Sequence, residues 1–245
     1  MRVALIGSLG AAGGCTSARK VTMSILPPAV PSVSELQPLG LPVFWSESFD
    51  TLDLARWREV ELWHQTRYEI AELEGQRCLR ATSHRGASIL LTAVKFRPAT
   101  YPWLSWRWRI EQPVDHEDLT RKEGSDASAR VYVYFDSKGL PWQKRNIDYV
   151  WSSTLPLETL LTSPFSSSSK ILVVDGGAAT IGKWRVIERN LNDDYRRVFG
   201  EAPSRVVAIG LMTDTDTMGG DAQASFDELR VSHEPLFPHS EAAAP

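Results

Sequence analysis

From Phe44 onward the chain is a succession of short runs in which polar and apolar residues alternate: "YEIAEL", "CLRATS", "SILLTAVKF", "WLSWRWRI", "ARVYVYFD", "IDYVWSS", "KILVVDG", "KWRVIERN", "RVVAIGLMT" and "SFDELRV". A period of two puts successive side chains on opposite faces of a sheet, which a helix with one apolar stripe cannot accommodate. Gly, Pro, Asn or Asp clusters divide many of these runs, as in "DSKGLP" and "DGGAAT". Many short strands punctuated by turn signals predict a mostly β chain, a two-sheet antiparallel sandwich of the jelly-roll kind. One helix stands apart, in "NDDYRRVFG": Asn190 or Asn192 serves as N-cap, acids fill the first turn, arginines the last, and Gly200 is the stop. A second short helical turn is expected in "LDLARW". No glycine-rich dinucleotide fingerprint, P-loop or α/β alternation is present, which argues against a nucleotide fold.

A chain of 245 residues fits one large all-β domain. The start, "MRVALIGSLGAAGGCTSARK", has one Arg, a short apolar run and small residues ending at Cys15. It reads as an export signal over residues 1–15, and the run is too short to span a bilayer. Small residues before a Cys resemble a bacterial lipoprotein signal, in which Cys15 carries the lipid; an ordinary cleaved signal is the alternative. Either places the protein outside the cytoplasm, in the periplasm or at the outer membrane of a Gram-negative bacterium. Residues 16–43, rich in Pro and Ser, are expected to form a tether, residues 44–233 the sandwich domain and residues 234–245 a disordered tail. Apart from Cys15 the only cysteine is Cys78, so no structural disulfide is expected, and Cys78 reads as a small buried hydrophobe. A net charge of −3 supplies no basic field, so nucleic acid is not an expected partner.

The polar half of each alternating strand holds the candidate chemistry. In "ARVYVYFD", Val131, Val133 and Phe135 share one face, and Arg130, Tyr132, Tyr134 and Asp136 the other. In "LSWRWRI", Arg107 and Arg109 oppose Trp106 and Trp108. If these strands are neighbours, Arg107, Arg109, Arg130, Tyr132 and Tyr134 form one surface offering guanidinium forks to carboxylates and rings to sugars, with Asp126 in a rim loop. The alternative is a solvated sheet face on which the arginines pair with Asp136, Asp148 and Glu188. Asp214, Asp216 and Asp221 surround a Gly pair and could offer oxygens to Ca²⁺, or else cap turn amides. The five histidines form no recognisable constellation.

Two resemblances bear on this reading. The opening "FWSESFD" and closing "ASFDELRVS" resemble the edge strands of concanavalin A-like and carbohydrate-binding-module jelly rolls, whose terminal strands lie side by side. More specifically, "WLSWRWRI", "RKEGSDASARVYVYFD", "ERNLNDDYRRVFG" and "GLMTDTDTMGGDAQASFDELRV" together resemble a bacterial family named only as domain of unknown function 3047, across roughly residues 44–232. The sequence departs from that family's pattern at Ser125, where a second acid is usual, and at Thr217, where Asn is usual. The resemblance implies a domain and no chemistry. The expectation is therefore an exported, envelope-tethered sandwich binding a glycan, an acidic one included, on a concave polar sheet face. A polysaccharide lyase or glycoside hydrolase on the same scaffold is the first alternative, and a structural protein of the envelope the second.

Overall fold

The computed structural model describes residues 43–136 and 144–236, together with two two-residue strands, β1 (Val3–Ala4) and β2 (Thr22–Met23), which pair antiparallel. The rest of the expected signal, the tether and the tail beyond residue 236 lie outside the described residues. Two sheets face each other. The larger has seven strands in the order β11 (Leu160–Thr162), β12 (Ser169–Gly176), β10 (Asn146–Ser152), β9 (Ala127–Phe135), β14 (Val206–Asp214), β7 (Ala87–Thr92) and β4 (Trp57–Trp63). The smaller runs β13 (Arg185–Asn190), β8 (Trp103–Gln112), β15 (Asp221–Ser232), β6 (Gln76–His84), β5 (Arg67–Leu73), and β3 (Val43–Glu47) pairs with β15. The opening and closing strands therefore do lie together, with Leu229 opposite Glu47 and Val231 opposite Trp45. This is a jelly-roll sandwich, with one departure from pure antiparallel pairing: β10 and β12 run parallel, because the short β11 returns the chain along the far edge of β12 before β12 joins β10.

Alternation builds the interior as the sequence implied. Leu104, Trp106, Trp108 and Ile110 of β8 meet Val131, Val133 and Phe135 of β9 and Ile147, Tyr149 and Trp151 of β10 in a single buried cluster. Trp106 and Tyr149 pack with ring centroids 5.5 Å apart. Burying each such ring contributes roughly 1.5–3 kcal/mol, provided its polar tip finds a partner. The Trp108 indole donates to Asp175 at 3.0 Å, the Trp151 indole to Thr180 at 2.9 Å and the Tyr149 hydroxyl to Asp194 at 2.8 Å. Asp194 lies in the helix α1 (Leu191–Phe199) and also accepts from Arg189 at 2.6 Å, which ties the helix to the sandwich. Asn190 is the N-cap, accepting from the amides of Asn192 and Asp193, and Gly200 ends the helix at φ 74°. "LDLARW" forms the single turn expected, closed on the Asp53 carbonyl by the amides of Arg56 and Trp57. Cys78 is fully buried, as expected.

Four connections between the sheets gather at one end: residues 64–66 (β4 to β5), 85–86 (β6 to β7), 113–126 (β8 to β9) and 215–220 (β14 to β15). They are bonded to one another. Thr66 Oγ1 donates to the Thr213 carbonyl at 2.8 Å, Ser83 Oγ to the Gly86 carbonyl at 2.7 Å, and the Thr215 amide to the same carbonyl at 2.9 Å. This end is where a site can be built on rigid corners.

The parallel pair depends on a glycine. A Cβ on Gly176 would stand 2.0 Å from the carbonyl oxygen of Ser152 on the adjacent strand, and backbone cannot yield as a side chain can. Gly176→Ala is expected to cost about 3 kcal/mol, read as a lower denaturant midpoint; an unchanged midpoint would show that β12 does not approach β10 as described.

Candidate functional site

Arg130 lies on the outer face of the seven-stranded sheet, yet it is only 4 % exposed. Register explains its surroundings: Val150 stands opposite it on β10 and Met212 on β14, with Asp148 and Asp214 two residues along. Its Nη1 donates to Asp148 at 2.5 Å, its Nε to Asp214 at 2.9 Å and its Nη2 to the Ser125 carbonyl at 2.6 Å. The guanidinium is thus committed to three strands and a loop, and has little left to offer a ligand. A buried charge left without these partners would be costly.

Beside it the face turns apolar. Tyr132 and Tyr134 stack on one another, centroids 5.8 Å apart at 21°, and Tyr134 packs among Ile89, Leu91, Val207 and Met212. Gly210 opposite Tyr132 allows this, since a Cβ there would come within 2.9 Å of Ile89 and 3.2 Å of Leu91. Burial pushes both phenols above their ordinary pKa. The polar concave surface expected from alternation is therefore corrected: it is an aromatic and apolar strip ending in a buried ion cluster.

Arg107 and Arg109 do not join it. Strand β8 belongs to the six-stranded sheet, so these arginines emerge on the opposite outer surface of the sandwich. Arg107 is bonded to Asp227 and Gln76 and lies over the Trp184 ring at 4.6 Å, and Arg109 meets Glu74 at 2.5 Å. That surface carries paired charges, as the alternative expected, but through Asp227 and Glu74, and with both guanidiniums largely covered.

The acidic residues regroup. One carboxylate oxygen each from Asp126, Asp214 and Asp216 lie within 4.8 Å of one another, a spacing at which a Ca²⁺ ion could take all three. Asp221, expected among them, is elsewhere: it opens β15 opposite His84 and bonds to that imidazole. Asp126, expected as a rim residue, takes its place. Asp126 also accepts from the Thr217 amide at 3.0 Å, the Thr217 hydroxyl at 2.7 Å and the Met218 amide at 2.8 Å, and so fixes the 215–220 corner. Thr217 performs this bonding in the position where the family pattern favours Asn.

Those corners border a shallow, open depression of about 470 Å³ lined by Trp63, His64, Arg85, Asp216, Met218 and neighbouring backbone. Trp63 is 59 % exposed and meets the His64 ring edge-on at 5.1 Å. A shift of register between Glu61 and Trp63 re-aims the indole. His64 and Arg85 both hold left-handed backbone, at φ 55° and 51°. Such conformations cost of order 1–3 kcal/mol at a non-glycine residue and concentrate at functional sites. Sequence reasoning missed Trp63, His64 and Arg85. The available signal was an indole that breaks the alternation of "REVELWHQ" just before a turn.

The charge balance around Arg130 has a pH consequence. One guanidinium faces two buried carboxylates, with Asp126 and Asp216 adding negative charge close by. Burial raises Asp214 to about 7, against the pull of Arg130 and helped by Asp126 and Asp216, and raises Asp148 to about 6, again against Arg130. Asp216 is raised too, by burial and by Asp126. Raised folded-state values mean that the fold holds protons the unfolded chain has released, so this contribution is full at acid pH and lost as pH climbs through 6 to 7. With chelator present, the melting temperature is expected to fall between about pH 5 and pH 8, and Asp214→Asn to flatten most of that fall. A melting temperature that rises over the window, or an equal fall in the variant, would contradict the charge balance.

A family model described as a protein of unknown function, DUF3047, matches residues 55–230. No curated protein matches the sequence. Among solved structures, the chain is similar to the xyloglucanase domain of NopAA, a type three effector from Sinorhizobium fredii, in complex with cellobiose. The identity is 10 %, with 77 % of this chain and 96 % of that one covered at a TM-score of 0.42. It is also similar to the family 11 carbohydrate-binding module from Clostridium thermocellum in complex with a mixed-linked tetrasaccharide: 9 % identity, 76 % and 92 % covered, TM-score 0.39. A third is endoglucanase 3 of Trichoderma harzianum, from family GH12: 9 % identity, 77 % and 96 % covered, TM-score 0.39. At these scores the likenesses carry no argument about ligand or reaction.

Proposed function

The chain belongs to the DUF3047 family, whose description names no activity, and we propose from the site itself that the domain is a glycan-binding module of the cell envelope. The observation that carries this reading is Trp63, a large aromatic left exposed at the wall of a cavity built on rigid corners. An indole face suits the apolar C–H face of a sugar ring, and an exposed ring of this size is otherwise a solubility liability. Polar residues border the same space: Asp216, Arg85 and His64. They supply the acceptors and donors that sugar hydroxyls require.

Trp63→Ala removes the platform without touching the core. Against a panel of neutral and acidic oligosaccharides, it is expected to weaken binding at least ten-fold, by the roughly 2 kcal/mol typical of an aromatic anchor, with the melting temperature held. A variant that binds as well as the parent would remove the reading, as would a parent that binds no carbohydrate.

A hydrolase or lyase on this scaffold is favoured by one feature, the raised pKa of Asp216 at the cavity wall, a condition suited to a general acid. Release of shortened products from a bound polysaccharide would move the protein into that class.

Envelope tethering rests on the N-terminal pattern ending at Cys15. Membrane fractionation is expected for the parent and lost in Cys15→Ser. Membrane association that persists in the variant, with no acyl group found by mass spectrometry, would return the segment to an ordinary cleaved signal.

A further inference from the structure

Arg85 and Asp216 line one cavity and carry opposite charges, yet no carboxylate among the described residues lies within 4.0 Å of the Arg85 guanidinium. Arg107 pairs with Asp227, Arg130 with Asp148 and Asp214, and Arg189 with Glu158 and Asp194, whereas Arg85 is exposed and, like the exposed Arg58, Arg77 and Arg97, makes no ion pair among the described residues. Arg85 is nevertheless placed with care. It occupies the two-residue corner between β6 and β7 in left-handed backbone, its amide bonded to the Gly220 carbonyl at 3.0 Å. Its side chain crosses Gly219, where an added Cβ would sit 3.9 Å from Nε. A glycine in place of Arg85 would relieve the backbone; keeping an arginine there holds a fork at the cavity wall.

A ligand that satisfies this cavity must bring three things: an anionic acceptor for Arg85, hydroxyl donors for the separate Asp216 carboxylate, and an apolar face for Trp63. A neutral sugar supplies the last two. A uronic acid residue supplies all three, with its carboxylate and its ring hydroxyls on different carbons, so that one charge can meet Arg85 while the hydroxyls meet Asp216. We propose that the cavity takes an acidic glycan and that Arg85 receives the carboxylate of a uronic acid residue seated on Trp63. This rests on the glycan reading above and adds the substrate class and the residue that selects it.

The test separates the two claims. Trigalacturonic acid and its fully methyl-esterified form differ in charge and scarcely in shape. Each is titrated calorimetrically into the full chain, with chelator present so that no cation bridges the carboxylates. The parent is expected to prefer the acid by roughly ten-fold, the lower end of what a charge-assisted hydrogen bond gives. Arg85→Gln should erase that preference while leaving the weaker binding of the ester, and Arg85→Lys should keep part of it. Arg85→Gly should melt no lower than the parent while losing the preference, which excludes unfolding as the cause. Equal affinity for acid and ester, or a preference that survives Arg85→Gln, overturns the inference and leaves glycan binding standing. Binding to neither trimer overturns it as well, and if the wider oligosaccharide panel also fails, the glycan reading falls with it. Binding of a free amino acid in place of any sugar would show that Arg85 and Asp216 receive a zwitterion, and contradicts both.

Discussion

A single buried guanidinium, that of Arg130, holds together the end of the sandwich where the chain changes sheets. It bonds to Asp148 on β10, to Asp214 on β14 and to the Ser125 carbonyl in the connection that enters β9. Three adjacent strands are thereby fixed at the point where their connections begin. From there the order propagates outward. Ser125 is followed by Asp126, whose two carboxylate oxygens hold the amides of Thr217 and Met218, and these belong to the corner that forms one wall of the cavity. The ion cluster is a supporting structure for that corner.

This arrangement carries excess negative charge. Burial, only partly offset by Arg130, holds Asp148 and Asp214 above the usual carboxylate range, and Asp126 and Asp216 push Asp214 up further. A proton, a divalent cation or a polar ligand at Asp216 would each relieve the excess. On the reading proposed above, Asp216 meets a partner's hydroxyl donors and Arg85 meets its anion. Geometry and charge lead to the same separation of roles across the cavity.

Much of the fold was legible because strand alternation is local. Trp106 and Trp108 face inward for the same reason that Arg107 and Arg109 face outward, and the Asn190 and Gly200 caps bound helix α1 as the sequence implied. What alternation cannot state is which sheet a strand enters. Arg107 and Arg130 have the same pattern, yet they lie on opposite surfaces because β8 and β9 are joined by a sheet-crossing connection. Nor does it state whether an outward-facing residue is wet: Arg130 is enclosed by partners far away in sequence, at positions 148 and 214. Trp63, His64 and Arg85 owe their positions to a bulge and to left-handed corners, features set by tertiary contacts, and the left-handed residues are not themselves glycines. Asp126 was legible as a loop residue, and its grouping with Asp214 and Asp216 was not, because it depends on two crossings meeting at one end.

The central claim is that ligand recognition occurs in the corner cavity and not on either sheet face. Backbone amide chemical shifts followed during titration with an acidic oligosaccharide test it most directly, since they report the location of contact without altering a residue. The account predicts that the largest shifts fall at Trp63, His64, Arg85 and residues 216–220, with the amides around Arg107 and Arg109 unmoved. Shifts centred on Arg107 and Arg109, or confined to residues far from these corners, would contradict it.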